Sequence, residues 1–230
     1  MNTRRTLVRL APIRLVSAAL LLWAATSAFA QTGGTCGPLQ NAYGPYDYRT
    51  ERGNRLYLVE SAHFTPLVEA LIRGNRGRLG ADLDYTLRAF PNHHRALLSV
   101  MQYGEKTKSP QPPDLRYSVE CYFDRALRFR PDDTTVRMLY ATFLQKDGRG
   151  QAANEQLERA TQLADDNAFT HYNIGLVYLS GKNFDAALKQ AHKALALGFP
   201  RTELKDELAA AGHWREPAPA QPPAAGSAPK

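Results

Sequence analysis

Cys36 and Cys121 are the only two cysteines of the chain. Two thiols can pair or react singly, but they are too few for a four-cysteine zinc site or a disulfide-framework mini-protein. His93-His94 is the only adjacent histidine pair. Neighbours on a helix point about 100° apart, and the i, i+4 spacing of helical zinc ligands is missing. The pair reads as a helix start, so no metal ligands are assigned and no cofactor is expected. Arg73-Gly74-Asn75-Arg76-Gly77-Arg78 is a basic, glycine-rich loop without the G-x-x-x-x-G-K-[ST] order of a phosphate-binding loop. Its Arg73, Arg76 and Arg78, with Arg95, suit contact with an acidic partner or an anionic polymer; the alternative is a solvated loop. The chain has no G-x-S-x-G element, no H-E-x-x-H and no convincing carboxylate pair. No catalytic residue is assigned, and the chain reads as a non-enzyme.

The compartment bears on the cysteines. The 230 residues carry 29 Lys and Arg against 22 Asp and Glu, a formal charge of +7. Four of the arginines (Arg4, Arg5, Arg9, Arg14) and no acid fall within residues 1–30. They precede the apolar run Leu15–Ala25 and the A-x-A ending Ala28-Phe29-Ala30, the layout of a cleavable secretory signal peptide. The run is shorter than the roughly 20 residues of a membrane span, and Gly33-Gly34-Thr35 before Cys36 departs from a lipoprotein box. Without residues 1–30 the balance is 25 basic to 22 acidic side chains, a net of +3, and the nucleic-acid reading invited by the full charge goes with them. A periplasmic destination follows, with no stable membrane insertion after cleavage. In that oxidising compartment a Cys36–Cys121 disulfide is the expectation; the alternative is a buried free Cys121 with an exposed Cys36.

Positioning falls to helices. Residues 31–59 show neither a period of 2 nor one of 3.6 and read as an irregular leader whose Tyr46 and Tyr48 pack on a neighbouring surface. Helices are expected over 65–73, 79–90, 92–103, 117–129, 134–146, 151–164, 167–179, 183–197 and 202–211, with Pro91 and Pro131 as stops. Short connections favour antiparallel hairpins. Residues 105–114, with Lys108-Ser109-Pro110-Gln111-Pro112-Pro113, form a loop. Residues 214–230 are Ala/Pro-rich and read as a flexible tail.

The second half of the chain repeats itself. One constant shift pairs Tyr140 with Ile174, Ala141 with Gly175, Leu144 with Tyr178, Ala153 with Ala187, Leu157 with Ala191, Ala160 with Ala194 and Leu163 with Leu197. That shift matches the tetratricopeptide repeat (TPR) period, two helices in about 34 residues. The segment His171-x-x-Ile174-Gly175-x-x-Tyr178 with Ala187, Ala191 and Ala194 resembles the TPR motif. Departures are His171 and Arg137 at the usual Trp, Asp165 at the usual Pro, and Pro200 one residue late. The best repeats are 134–167 and 168–201. A degenerate unit spans 92–129, where the interval from Pro91 to Pro131 exceeds one TPR period because of the 105–114 insertion. Residues 79–91 look like the second helix of a still earlier unit and 65–73 like its first. The fragments Tyr85–Arg95 and Tyr117–Pro131 are similar to exported TPR proteins of Gram-negative bacteria.

The resemblance implies an all-α, right-handed solenoid of antiparallel hairpins over residues 60–213, closed by a polar terminal helix. It implies a concave face lined by first helices, with Leu98, Gln102, Met138, Thr142, Gln145, Tyr172, Leu176 and Leu179 facing the groove. Asn173 matches one element of the two-carboxylate clamp of chaperone-binding TPR proteins, but Met138, Thr142 and Leu176 do not supply the rest. The expected function is a periplasmic scaffold holding a protein or peptide on its concave face. The alternative is a binder of cell wall or another anionic polymer through the basic loop.

Overall fold

Side-chain caps set half of the described helix starts. The computed structural model describes residues 36–217; the expected export segment 1–30 and most of the expected tail lie outside them. Among the described residues there are ten helices and no strand: α1 Asn54–His63, α2 Pro66–Glu69, α3 Leu79–Ala89, α4 His94–Thr107, α5 Val119–Phe129, α6 Thr134–Lys146, α7 Gly150–Ala164, α8 Ala168–Ser180, α9 Phe184–Ala196 and α10 Glu203–Ala210. This portion of the protein is all-α. His93, Ser118, Asp133, Asn167 and Asn183 each accept a hydrogen bond from the backbone N–H three residues on, at 2.9–3.3 Å, capping α4, α5, α6, α8 and α9. The helix-start reading of His93-His94 is therefore correct, with His93 as the cap.

The helix starts are periodic. Thr134 and Ala168 open α6 and α8, and Gly150 and Phe184 open α7 and α9, each pair separated by the same interval that relates the repeated residues. Connections of three residues (147–149 and 181–183) turn α6 back onto α7 and α8 back onto α9. A longer interval governs the earlier helices. Asn54, His94 and Thr134 open α1, α4 and α6 at equal steps, and Leu79 and Val119 open α3 and α5 one such step apart. Two units with long internal loops therefore precede two with tight ones.

This corrects four expectations. The leader is irregular only through residue 53, because α1 buries Leu56 and Val59. The first helix of the earliest unit is α1, which packs on α3. Residues 65–73 form a single turn, since the backbone breaks at Leu71 (φ 57°) to bury that side chain in the core. The insertion starts later than expected, α4 continuing to Thr107.

Two apolar clusters share α6. The first joins Val68, Leu83, Leu87, Leu97, Val100, Tyr122, Phe123 and Val136; the second joins Ala141, Leu144, Leu157, Ile174, Tyr178, Ala187, Leu204 and Leu208. Gly175 sits where α8 meets α9 and α10, and a Cβ there would collide with Leu204 and crowd Gln190. α10 buries Leu204 and Leu208 and leaves Glu203, Asp206 and Glu207 outside, as a polar terminal helix should. Trp214 packs against the second cluster, so the tail expected from 214 is attached at its start.

The leader is a strap. The Cys36–Cys121 disulfide forms, with Cα atoms 5.1 Å apart. Buried Arg125 donates to the Cys36 and Pro38 carbonyls at 3.0 and 2.7 Å, and Arg128 to the Gly37 carbonyl at 3.0 Å. Further on, Arg88 donates to Asn41 and the Tyr46 N–H to the Ala89 carbonyl, both at 2.9 Å.

Candidate functional site

The first helices form one row: α4 packs on α6 and α6 on α8, whereas no contact of similar extent joins α5 to α7 or α7 to α9. The eight groove residues read from the sequence all lie on this row, in different surroundings. Leu98 and Gln102 on α4 are exposed. Met138, Leu176 and Leu179 are half-buried against the second cluster. Thr142 donates its hydroxyl to the Met138 carbonyl at 3.0 Å. Gln145 donates to the Val177 carbonyl at 3.0 Å and accepts from the Ser180 hydroxyl at 3.2 Å, so its amide fastens α6 to α8. Tyr172 is 5% exposed, packs 4.6 Å from the Phe199 ring and donates to Glu203 at 3.3 Å. Phe169, one turn before it, is 62% exposed and is not among the eight. Its spacing of three and seven residues from Tyr172 and Leu176 is the sequence signal that could have placed it on that face.

A polar network lies at the turns that open α4 and α6. Asn92 is fully buried; it accepts from the Tyr48 N–H at 3.0 Å and donates to Asp47 at 2.7 Å and Asp133 at 2.9 Å. Asp133 also accepts from Val136 N–H at 3.1 Å, and His94 Nε2 lies 2.9 and 3.0 Å from its two oxygens. Arg49 pairs with Asp47 and with Asp132, both at 2.9 Å, and Arg130 donates to Asp47 at 2.6 Å. Burial pushes the Asp133 carboxyl up, but the hydrogen bonds from His94, Asn92 and the Val136 amide outweigh it and hold the group below its ordinary value. Asp47 follows the same balance, with Arg49, Asn92 and Arg130 overcoming burial.

His93 has a fixed tautomer. Its Nδ1 accepts from Ala96 N–H, so the ring proton sits on Nε2 and is donated to Glu60 on α1 at 3.1 Å. Burial lowers its pKa against the opposing pull of Glu60, and the ring is closed in by Tyr48, stacked at 4.0 Å, and by Phe64. No Ser, Thr or Cys side chain donates to either His93 or His94 among the described residues. The arrangement joins the starts of α4 and α6 to each other and to α1. Sequence reasoning misses it, although Asn92-His93 and Asp132-Asp133 occupy equivalent turns of successive units, each just after a helix-stopping proline.

The basic loop turns its backbone inward. Asp82 accepts from the N–H groups of Asn75, Arg76 and Gly77 at 2.6, 3.1 and 3.3 Å, and its other oxygen lies 2.8 Å from His63 Nδ1. The amides that would cradle an external anion thus hold a carboxylate of this chain. The side chains of Arg73, Arg76 and Arg78 remain outside, and among the described residues only Arg78 has an ion-pair partner, Asp114 at 3.3 Å. Arg95 pairs with Glu69 and, at 3.4 Å, with Glu60, so the structure does not bring it to the loop as a free charge.

Among the described residues, no three His, Cys, Asp or Glu side chains are arranged to hold a metal ion, and no helix is long and apolar enough to cross a membrane. The chain matches no known family model and no curated protein.

Proposed function

We propose that this chain is an exported TPR-type scaffold whose solenoid binds a protein or peptide along the face built by α4, α6 and α8. The observation that carries the reading is the single row of first helices, with accessible apolar groups at both ends, Leu98 on α4 and Phe169 on α8. Close packing within one row, with none of similar extent between the second helices, is the pattern expected of a solenoid concave on its first helices. Half-buried Met138, Leu176 and Leu179 along that row supply shallow carbon surface of the kind that takes up a peptide side chain. The regular spacing of α6–α9 supports the TPR assignment, and the disulfide supports a destination outside the reducing cytosol.

Site-specific photo-crosslinking in cell envelopes tests this. A crosslinkable residue at Leu98, Met138 or Leu176 is expected to trap the same discrete protein, while one at Glu155, exposed on α7, traps none. Equal labelling from α7, or no adduct from any of the three groove positions, would overturn the proposal.

A further inference from the structure

The two long internal loops that distinguish the first two units from the last two meet each other. Arg78, at the end of the basic loop, pairs with Asp114 in the insertion between α4 and α5. The insertion also lies directly on α3, where a Cβ at Gly80 would collide with the Pro113 carbonyl oxygen. Between the loops and α3 is a cleft of about 510 Å³, within the range of small-ligand sites. It shares none of the groove residues on α4, α6 and α8.

The charges lining it are unevenly satisfied. Asp82 is held by three backbone N–H groups and His63. Asp84 accepts from the Tyr122 hydroxyl at 2.7 Å and pairs with Arg88 at 2.8 Å, and Asp114 has Arg78. Arg76 from one loop and Arg116 from the other also line the cleft, and neither has an ion-pair partner among the described residues. Two arginines, each carrying a fork of donors, thus border the cleft from separate loops, and no carboxylate among the described residues engages them. In the same lining the Asp84 and Asp114 oxygens keep lone pairs for hydroxyl donors, and Leu115 and Ala81 give the cleft carbon surface.

The geometry points to a binding site for an acidic sugar, its anionic group gripped by Arg76 and Arg116 and its hydroxyls donating to Asp84 and Asp114. The pairing of free guanidinium groups with carboxylates selects this class. A bare anion such as inorganic phosphate lacks the set of ring hydroxyls that could reach both carboxylates, a neutral sugar leaves both arginines without an anionic partner, and a cation is repelled by them.

Calorimetric titration of the purified, disulfide-intact protein with glucuronate, glucose 1-phosphate, glucose and inorganic phosphate decides it. Saturable binding of glucuronate or glucose 1-phosphate is expected, stronger than that of inorganic phosphate and absent for glucose. Which of the two binds identifies a carboxylate or a phosphate as the anionic group. The double variant Arg76→Ala/Arg116→Ala should weaken binding by about tenfold or more, as loss of charge-assisted hydrogen bonds requires, while Arg73→Ala, outside the cleft, leaves it unchanged. Both arginines are exposed, so the double variant keeps its circular dichroism spectrum. Absence of saturable binding by both acidic sugars, equal affinity in the double variant, or inorganic phosphate binding as well as glucose 1-phosphate would each overturn the assignment. The groove crosslinks are read independently of all four titrations.

Discussion

Asp132 and Asp133 are adjacent in sequence and differ sharply in what they hold. The Asp132 side chain is 58% exposed and pairs with Arg49, while that of Asp133 is 1% exposed and serves the α6 amide, Asn92 and His94 together. Removing a helix cap costs about 1 kcal/mol, and leaving buried donors unpaired adds roughly 1–3 kcal/mol. Asp133→Ala should therefore lose about 2–4 kcal/mol in urea denaturation, whereas Asp132→Ala, an exposed ion pair, should lose no more than about 1 kcal/mol. Equal losses in the two variants would remove the network from the account of stability. His93 shows why residue type alone under-reports a role: a histidine is an uncommon cap, and its second nitrogen is what joins α4 to Glu60 on α1.

Among the elements, the strap carries the clearest consequence. Residues 36–53 contain no helix, yet they are fastened to α3 and α5 by the disulfide and by Arg125, Arg128 and Arg88. Their low periodicity reads correctly as absence of regular structure. Their attachment has no local signature, because the partners of Gly37, Pro38 and Asn41 stand 47 to 91 residues away. The disulfide closes a loop of 85 residues, which in the chain-entropy model stabilises by about 4–5 kcal/mol. Cys36→Ser/Cys121→Ser should therefore lower the melting temperature by on the order of 10 °C at this chain size. A non-reducing thiol count of zero in the denatured wild-type protein is the companion observation. A melting temperature unmoved by the double substitution would show the arginine contacts to be a sufficient anchor.

For the molecule as a whole, the charges at the joints set the response to acid. Burial holds His93 below the ordinary histidine value, so the unfolded chain takes up that proton first and stability declines once pH falls below about 6.5. Glu60, held down by His93, and Glu69, held down by Arg95, act in the same sense at lower pH. So does Asp133, whose hydrogen bonds outweigh its burial. All three lose their contribution as pH falls through their depressed values. The melting temperature should thus be greatest near and above neutrality and fall in two stages, near pH 6 and again below about pH 4. His93→Asn keeps a capping acceptor and should flatten the first stage while trimming the Glu60 share of the second; an unchanged first stage would assign it to another group.

From the sequence alone came the all-helical character, the regular spacing of the last two hairpins, Cys36 and Cys121 as partners, and the polar terminal helix. These are local or periodic properties, fixed by where apolar, small and capping residues recur along one helix. Tertiary structure decided that α1 is the first helix of the earliest unit, that Gln145 and Tyr172 are committed within the fold, and that the basic loop closes on Asp82. It also brought Arg76 and Arg116 to one cleft. Each of these depends on which distant segment meets the residue, and a unit lengthened by an internal loop offers no continuous period from which to read that meeting. The physical reason is range: helix formation is specified within a few residues, whereas charge pairing and burial across helices are specified by the packing of the whole chain.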